Sequence, residues 1–242
     1  MRPGRADTVA DQLLELVLDG TFPVGGTLPS EAELAARFGV SRLTVREAIR
    51  SLAPTRVIRV QQGRSSTVNA PEEWSPLDGR LLVARSRLHP DPLLLPMRLL
   101  EARRAVEVAI AELAAQRRQP SQVERLTAVH DDMVRAHGAG DVPAVAEADL
   151  AFHGLLFDAA DNVFLEALFE PLASVLRSLR RETSSVPEIV GHALEHHAAI
   201  LAAVTAGDAG AAGSAMRAHL LQTEEDIERH LGSEAVTTAP PD

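Results

Sequence analysis

Asp149 and His153 stand four residues apart in a segment whose apolar residues Val142, Val145, Phe152 and Leu156 recur at helical spacing, so both fall on the face that should turn inward. His197 sits at the centre of a second stripe, Val190, Leu194, Leu201 and Val204, with His192 and His196 pointing away from it. His219 lies beside Ala212, Ala215, Met216 and Leu220 on a third. Burying an ionisable group is costly unless something pairs with it, so these four require an explanation. One carboxylate and three imidazoles converging from three helices would suit a divalent metal, Zn²⁺ first and Ni²⁺ or Mn²⁺ as alternatives, with positions left for water or a ligand carboxylate. The competing reading is that each inward histidine is simply hydrogen-bonded core.

A second kind of chemistry is concentrated near the N-terminus. The net charge of −10 argues against nucleic acid until its distribution is read. Residues 26–68 hold seven Arg against three Glu, a local +4, which leaves −14 on the rest. Within this basic stretch Ser41, Arg42, Thr44 and Arg46 crowd the start of a helix, where polar and cationic side chains can meet base edges and phosphates.

The elements that must position these groups follow from spacing and punctuation. Val9, Leu13, Leu16 and Val17 define a helix over 8–19. Ser30 with Glu33 forms a capping box for a second helix that stops at Gly39, and Ser41 caps a third that runs through Arg42–Ala53 until Pro54 forbids continuation. Ala35, Gly39 and Val45 supply the small side chain, the turn and the apolar knob that a tight helix crossing needs. Residues 57–60 and 66–68 read as two short strands around Gln61-Gln62-Gly63-Arg64, a wing that would bring Gly63 and Arg64 to DNA. Residues 69–76, polar and proline-bearing, read as a linker. Helices are expected near 77–88, 93–118, 121–138, 142–160, 162–183, 186–206 and 208–231, and a disordered tail over 232–242. The fold class is therefore mainly α: a winged helix-turn-helix over 1–68 and an all-helical domain of six or seven helices over 77–231.

Composition narrows the function. With no cysteine, disulfides, thiolate metal sites and cysteine nucleophiles are excluded. The start MRPGRADTVADQ carries no apolar signal run, and the apolar stretches elsewhere read as broken by charge short of a membrane span, so a cytoplasmic protein with no membrane partner is expected.

The stretch GTLPSEAELAARFGVSRLTVREAIRSL resembles the signature of the GntR family of bacterial regulators. That resemblance implies operator contacts from Arg42, Thr44 and Arg46, and a close approach of Gly63 to the minor groove. Two positions depart from the family pattern: Ala32 replaces an Arg that contacts DNA in several members, and Arg56 occupies the place of a usual Gly. Further on, DLAFH, EHHAAILAAVTAGD and AMRAHL resemble the FadR-type effector domain of the same family, the FCD domain. This resemblance implies that Asp149, His153, His197 and His219 hold a metal on which an effector carboxylate docks, that Arg103 meets effector charge, and that Asn162 lies near the pocket. For Arg103 a structural salt bridge to Glu107 is the alternative, and for Asn162 an ordinary helix cap is favoured. Residues 74–79 further resemble members that respond to sugar acids.

The expected activity is that of a dimeric repressor on a near-palindromic operator in double-stranded DNA, controlled by a small carboxylate or sugar acid. The alternatives are a helical metalloenzyme acting on a small acid, against which no separate inward Glu or His stands out as a general base, and a nucleoid-type protein without sequence preference.

Overall fold

The computed structural model describes residues 4–60, 65–169 and 172–230. The chain divides into two compact units, Met1–Leu88 and His89–Asp242.

In the first unit, α1 (Arg5–Leu18) buries Val9, Leu13, Leu14 and Val17 against α3. Fully burying each such side chain contributes about 1.5–3 kcal/mol. α2 (Glu31–Phe38) begins at the capping box: Glu33 N donates to Ser30 Oγ at 3.3 Å, and Ser30 N donates to Glu33 Oε2 at 2.8 Å. It ends at Gly39, whose φ of 65° is the left-handed conformation expected of that turn. α3 (Arg42–Ser51) starts at Ser41, whose Oγ accepts from Thr44 N at 3.1 Å. Leu34 and Ala35 of α2 and Val45, Ala48 and Ile49 of α3 close the crossing.

A 3-10 turn at Ala53–Thr55 follows, and then Arg56 in the left-handed region at φ 55°. A side chain there crowds its own backbone, which is why glycine would suit the position. β1 (Ile58–Arg59) pairs antiparallel with β2 (Thr67–Val68), Ile58 opposite Val68 and Arg59 opposite Thr67. The strands are shorter than the expected 57–60 and 66–68. Gly63 and Arg64, between them, lie outside the described residues.

The stretch expected as a polar linker is instead built into this unit. Trp74, the chain's one tryptophan, is buried in its core, and its Nε1 donates to Asn69 O at 2.9 Å. α4 (Gly79–Leu88), expected to open the second domain, sends Leu81 into the same core, and its Arg80 pairs with Asp11 of α1. The division therefore falls after Leu88, because these apolar side chains find their partners on the N-terminal side.

The second unit contains α5 (Leu94–Arg117), α6 (Pro120–Ala139), α7 (Val142–Ala160), α8 (Val163–Phe169), α9 (Ala173–Thr183), α10 (Pro187–Ala206) and α11 (Ala209–His230). α5 packs against α7, α10 and α11; α6 packs against α7 and α10; α9 lies on α7. At the approach of α11 to α5, a Cβ on Gly213 would meet Glu112 Oε1 at 2.5 Å, so only glycine fits without a shift. The helix expected over 162–183 is described as two helices, α8 and α9. α10 is one exception to the expectation about apolar stretches. Its 20 residues, with a mean hydropathy of 1.2, are long and apolar enough to cross a membrane by length and composition. In this unit it packs on α6 and α11 and carries His197 inward. The tail expected over 232–242 lies outside the described residues.

Candidate functional site

The three histidines meet. His153 of α7, His197 of α10 and His219 of α11 are all buried, each offering a ligand atom within 4.8 Å of the others. The rings of His197 and His219 are 4.6 Å apart by centroid, and His197 stacks on Phe152 at 4.4 Å. Asp149, one turn before His153, is buried with its Oδ1 3.6 Å from His197 Nε2. Two ligands on one tetrahedral zinc sit ~3.4 Å apart, given bonds of ~2.0–2.1 Å.

The hydrogen-bonded-core reading requires partners for these rings. Among the described residues none of the six imidazole nitrogens completes a hydrogen bond, and all six are buried. Burial, then the neighbouring cations and imidazoles, hold His197 and His219 well below the usual histidine range. Burial lowers His153 as well, opposed by Glu107 and Asp149. All three are thereby kept as neutral imidazoles, the form that ligates a metal. The donor set and its orphaned nitrogens fit a divalent cation.

Two charged residues that sequence reasoning missed or placed second complete the cluster. Glu107 of α5 is buried between Arg103 and His153: Arg103 Nε and Nη2 donate to it at 2.6 and 3.3 Å, and its Oε2 lies 2.7 Å from His153 Nδ1, off the line of a hydrogen bond. Burial alone would raise the Glu107 carboxyl, but the Arg103 guanidinium beside it outweighs burial and holds it far below the usual range. An inward Glu therefore does stand beside the histidines, contrary to expectation, yet so strongly ionised and so tied to Arg103 it makes a poor general base. What it can do is fix the His153 ring, as carboxylates behind metal-ligating histidines do. Arg103 makes the buried salt bridge that was its alternative reading, with Nη1 left unpartnered.

Arg180 of α9 is the second. It is buried against Asp149, Nε 2.5 Å from Oδ2 and Nη1 donating to Oδ1 at 3.1 Å. Burial and the like charge of Arg103 pull it down to about 10, still a cation at neutral pH. Its spacing gave a faint signal, four residues after Leu176, but Arg177 and Arg181 beside it are exposed, and sequence does not say which arginine turns inward. Asn162 is engaged elsewhere: its Oδ1 accepts from Phe164 N and Leu165 N, capping α8. His192, expected to point away from the cluster, faces the buried Asp226 with Nδ1 3.0 Å from Oδ2.

In the first unit, Arg42 at the first position of α3 is exposed, and the hydroxyls of Ser41 and Thr44 lie 2.9 Å apart beside it. Arg46 forks onto Glu31 of α2, Nε to Oε1 at 2.9 Å and Nη2 to Oε2 at 2.6 Å, with half of its side chain exposed. This pair bridges the two helices on the outside of their crossing.

Comparison with known proteins agrees with this division. Residues 5–68 match bacterial regulatory proteins of the gntR family, and residues 98–222 match the FCD domain. A putative L-lactate dehydrogenase operon regulatory protein of Escherichia coli is 29% identical, with 93% of this chain and 90% of that protein covered. The galactonate operon transcriptional repressor of Escherichia coli is likewise 29% identical over 89% and 93%. A solved structure of Streptococcus agalactiae GntR is 31% identical, covers 91% of this chain and 99% of its own, and superposes with a TM-score of 0.50. Matches to both domains, and relatives similar over nearly their full length, make this chain a GntR-family transcriptional regulator of the FCD type and not an enzyme.

Proposed function

We propose that the chain is a cytoplasmic, dimeric repressor whose operator affinity is set by a small 2-hydroxy carboxylate bound in a metal-loaded helical domain. The observation that carries this reading is the set of three buried imidazoles without hydrogen-bond partners beside Asp149. Asp149, His153, His197 and His219 hold the ion, zinc first among the candidates. When bound, it supplies a Lewis-acidic anchor for a carboxylate. Glu107 orients His153, Arg103 keeps Glu107 ionised, and the unpartnered Nη1 of Arg103 is what that residue has left to offer an acid. The operons named for two relatives concern lactate and galactonate, both 2-hydroxy acids, and one of those relatives is titled a repressor.

On the DNA side, Ser41, Arg42 and Thr44 face the base edges and phosphates of one half-site, Arg46 reaches a phosphate in competition with Glu31, and Gly63 and Arg64 serve the wing. A single recognition helix reads too little sequence for selectivity, so two copies read a near-palindrome. Effector binding changes the spacing of the two modules.

The test is fluorescence anisotropy on an operator selected from random duplexes, at fixed salt, with zinc-loaded protein and L-lactate or galactonate added. Release of DNA by a factor of about 5–150 is expected from a coupling of ~1–3 kcal/mol. An acid that saturates the protein and leaves operator affinity unchanged would contradict the proposal, and random DNA competing as well as the operator would favour a nucleoid role.

A further inference from the structure

Four ionised side chains share the interior around the histidines, and their charges cancel: Arg103 and Arg180 against Glu107 and Asp149. The two arginines are held differently. Arg103 forks onto Glu107, whose Oε2 lies 2.7 Å from His153 Nδ1, so that pair can stay intact when His153 takes a ligand through its other nitrogen. Arg180 leans on Asp149, whose Oδ1 is 3.6 Å from His197 Nε2 and within reach of the same ion. The Arg180 Nε to Asp149 Oδ2 contact is also misaligned, and neither atom completes a hydrogen bond there.

A divalent ion entering this cluster takes the buried formal charge from zero to +2 and draws on the carboxylate that balances Arg180. A buried charge whose partner is engaged elsewhere is costly, and an arriving anion relieves it. The crevice at this point is lined by Asp149, Arg180, Thr183, Ser184, Val190 and Thr223 and has a volume of about 20 Å³, room for a single water. An acid can enter only if this lining gives way, and α9 contributes Arg180 and Thr183 to it.

We propose that Arg180, more than Arg103, is the cation that receives the effector: the metal draws Asp149 away from it, and the freed guanidinium takes the acid's carboxylate. The second half of this proposal rests on the effector reading above. It makes metal binding a precondition for acid binding, and it places the ligand-dependent movement in α9.

Zinc alone, titrated calorimetrically into the chelated full-length protein, tests the first half. Arg180→Gln removes the competitor for Asp149, so zinc should bind at least as tightly as in wild type. If Arg180 instead merely supports Asp149 as a ligand, its loss should weaken zinc by about 10–100-fold, and that result would overturn the proposal. L-Lactate and galactonate titrated into the zinc-loaded proteins test the second half. Wild type should bind at least one, and Arg180→Gln should lose roughly 10–100-fold of that affinity. Equal affinity in the two proteins would overturn it. Binding of neither acid to zinc-loaded wild type would overturn the effector reading and this second half with it, while the zinc titration still decides the first. Should Arg180→Gln fail to fold without metal, Arg180→Lys retains the charge without the planar fork: zinc no weaker and acid about tenfold weaker is the expected pattern, and the reverse contradicts it.

Discussion

Arg46 and Arg103 are both arginines forked onto a glutamate, and their surroundings give them different work. The Arg46–Glu31 pair is 50% and 36% exposed, on the outside of a helix crossing whose core is wholly apolar. The Arg103–Glu107 pair is 1% and 2% exposed, next to three buried imidazoles. In the winged unit the polar groups sit on a finished core and can change partners, from Glu31 to a phosphate, without disturbing it. In the helical unit polar groups are buried within the core, so a change of partner there is a change of structure. The proposed sensing of an acid and the reading of DNA thus fall to regions of opposite design, and only the interior one couples a change of partner to helix movement.

The largest expected effect breaks that contrast most directly. Arg103→Ala leaves Glu107 buried and unpaired, and should destabilise the protein by about 3–5 kcal/mol in chemical denaturation. Arg46→Ala should leave the melting temperature of the protein unchanged and weaken operator binding instead. Equal stability losses for the two would dissolve the distinction.

Acid should expose the interior next. The three buried imidazoles have depressed proton affinity, so below about pH 6.5 the unfolded chain binds protons that the folded chain refuses. Stability of the chelated protein should be full above that pH and fall below it, by up to ~1.4 kcal/mol per pH unit for each histidine. A flat profile between pH 6.5 and 5 would mean that these rings are protonated as readily in the fold as out of it.

Smaller effects sharpen the description of the winged unit. Ser30→Ala removes the cap of α2 and should cost about 1 kcal/mol. Arg56→Gly relieves the left-handed backbone at φ 55° and should stabilise by up to about 1 kcal/mol, with m-value unchanged.

Much of the winged unit was legible in sequence because local rules decide it: Ser30 with Glu33, Gly39 and Ser41 each act within three or four residues. Trp74 was not, since a polar neighbourhood hid a side chain whose partners lie elsewhere in the unit. In the helical unit, periodicity placed Asp149, His153, His197 and His219 on inward faces; the structure clusters the three histidines and sets Asp149 Oδ1 3.6 Å from His197 Nε2. Glu107 was foreseen only as a salt-bridge partner of Arg103, and Arg180 escaped notice, because helical spacing does not reveal which charged residue a neighbouring helix will cover. Asn162 shows the converse: a motif match pointed to a pocket, while its position before a helix pointed to the cap that is observed.

The most direct test of the proposed metal site is a thermal melt of the chelated and the zinc-treated protein, wild type beside His219→Ala. Zinc at a hundred times its dissociation constant should stabilise wild type by ~2.7 kcal/mol, with the variant responding little. A wild-type melt that zinc does not move, or a variant that responds as fully as wild type, would contradict the account and return the three histidines to the role of core residues.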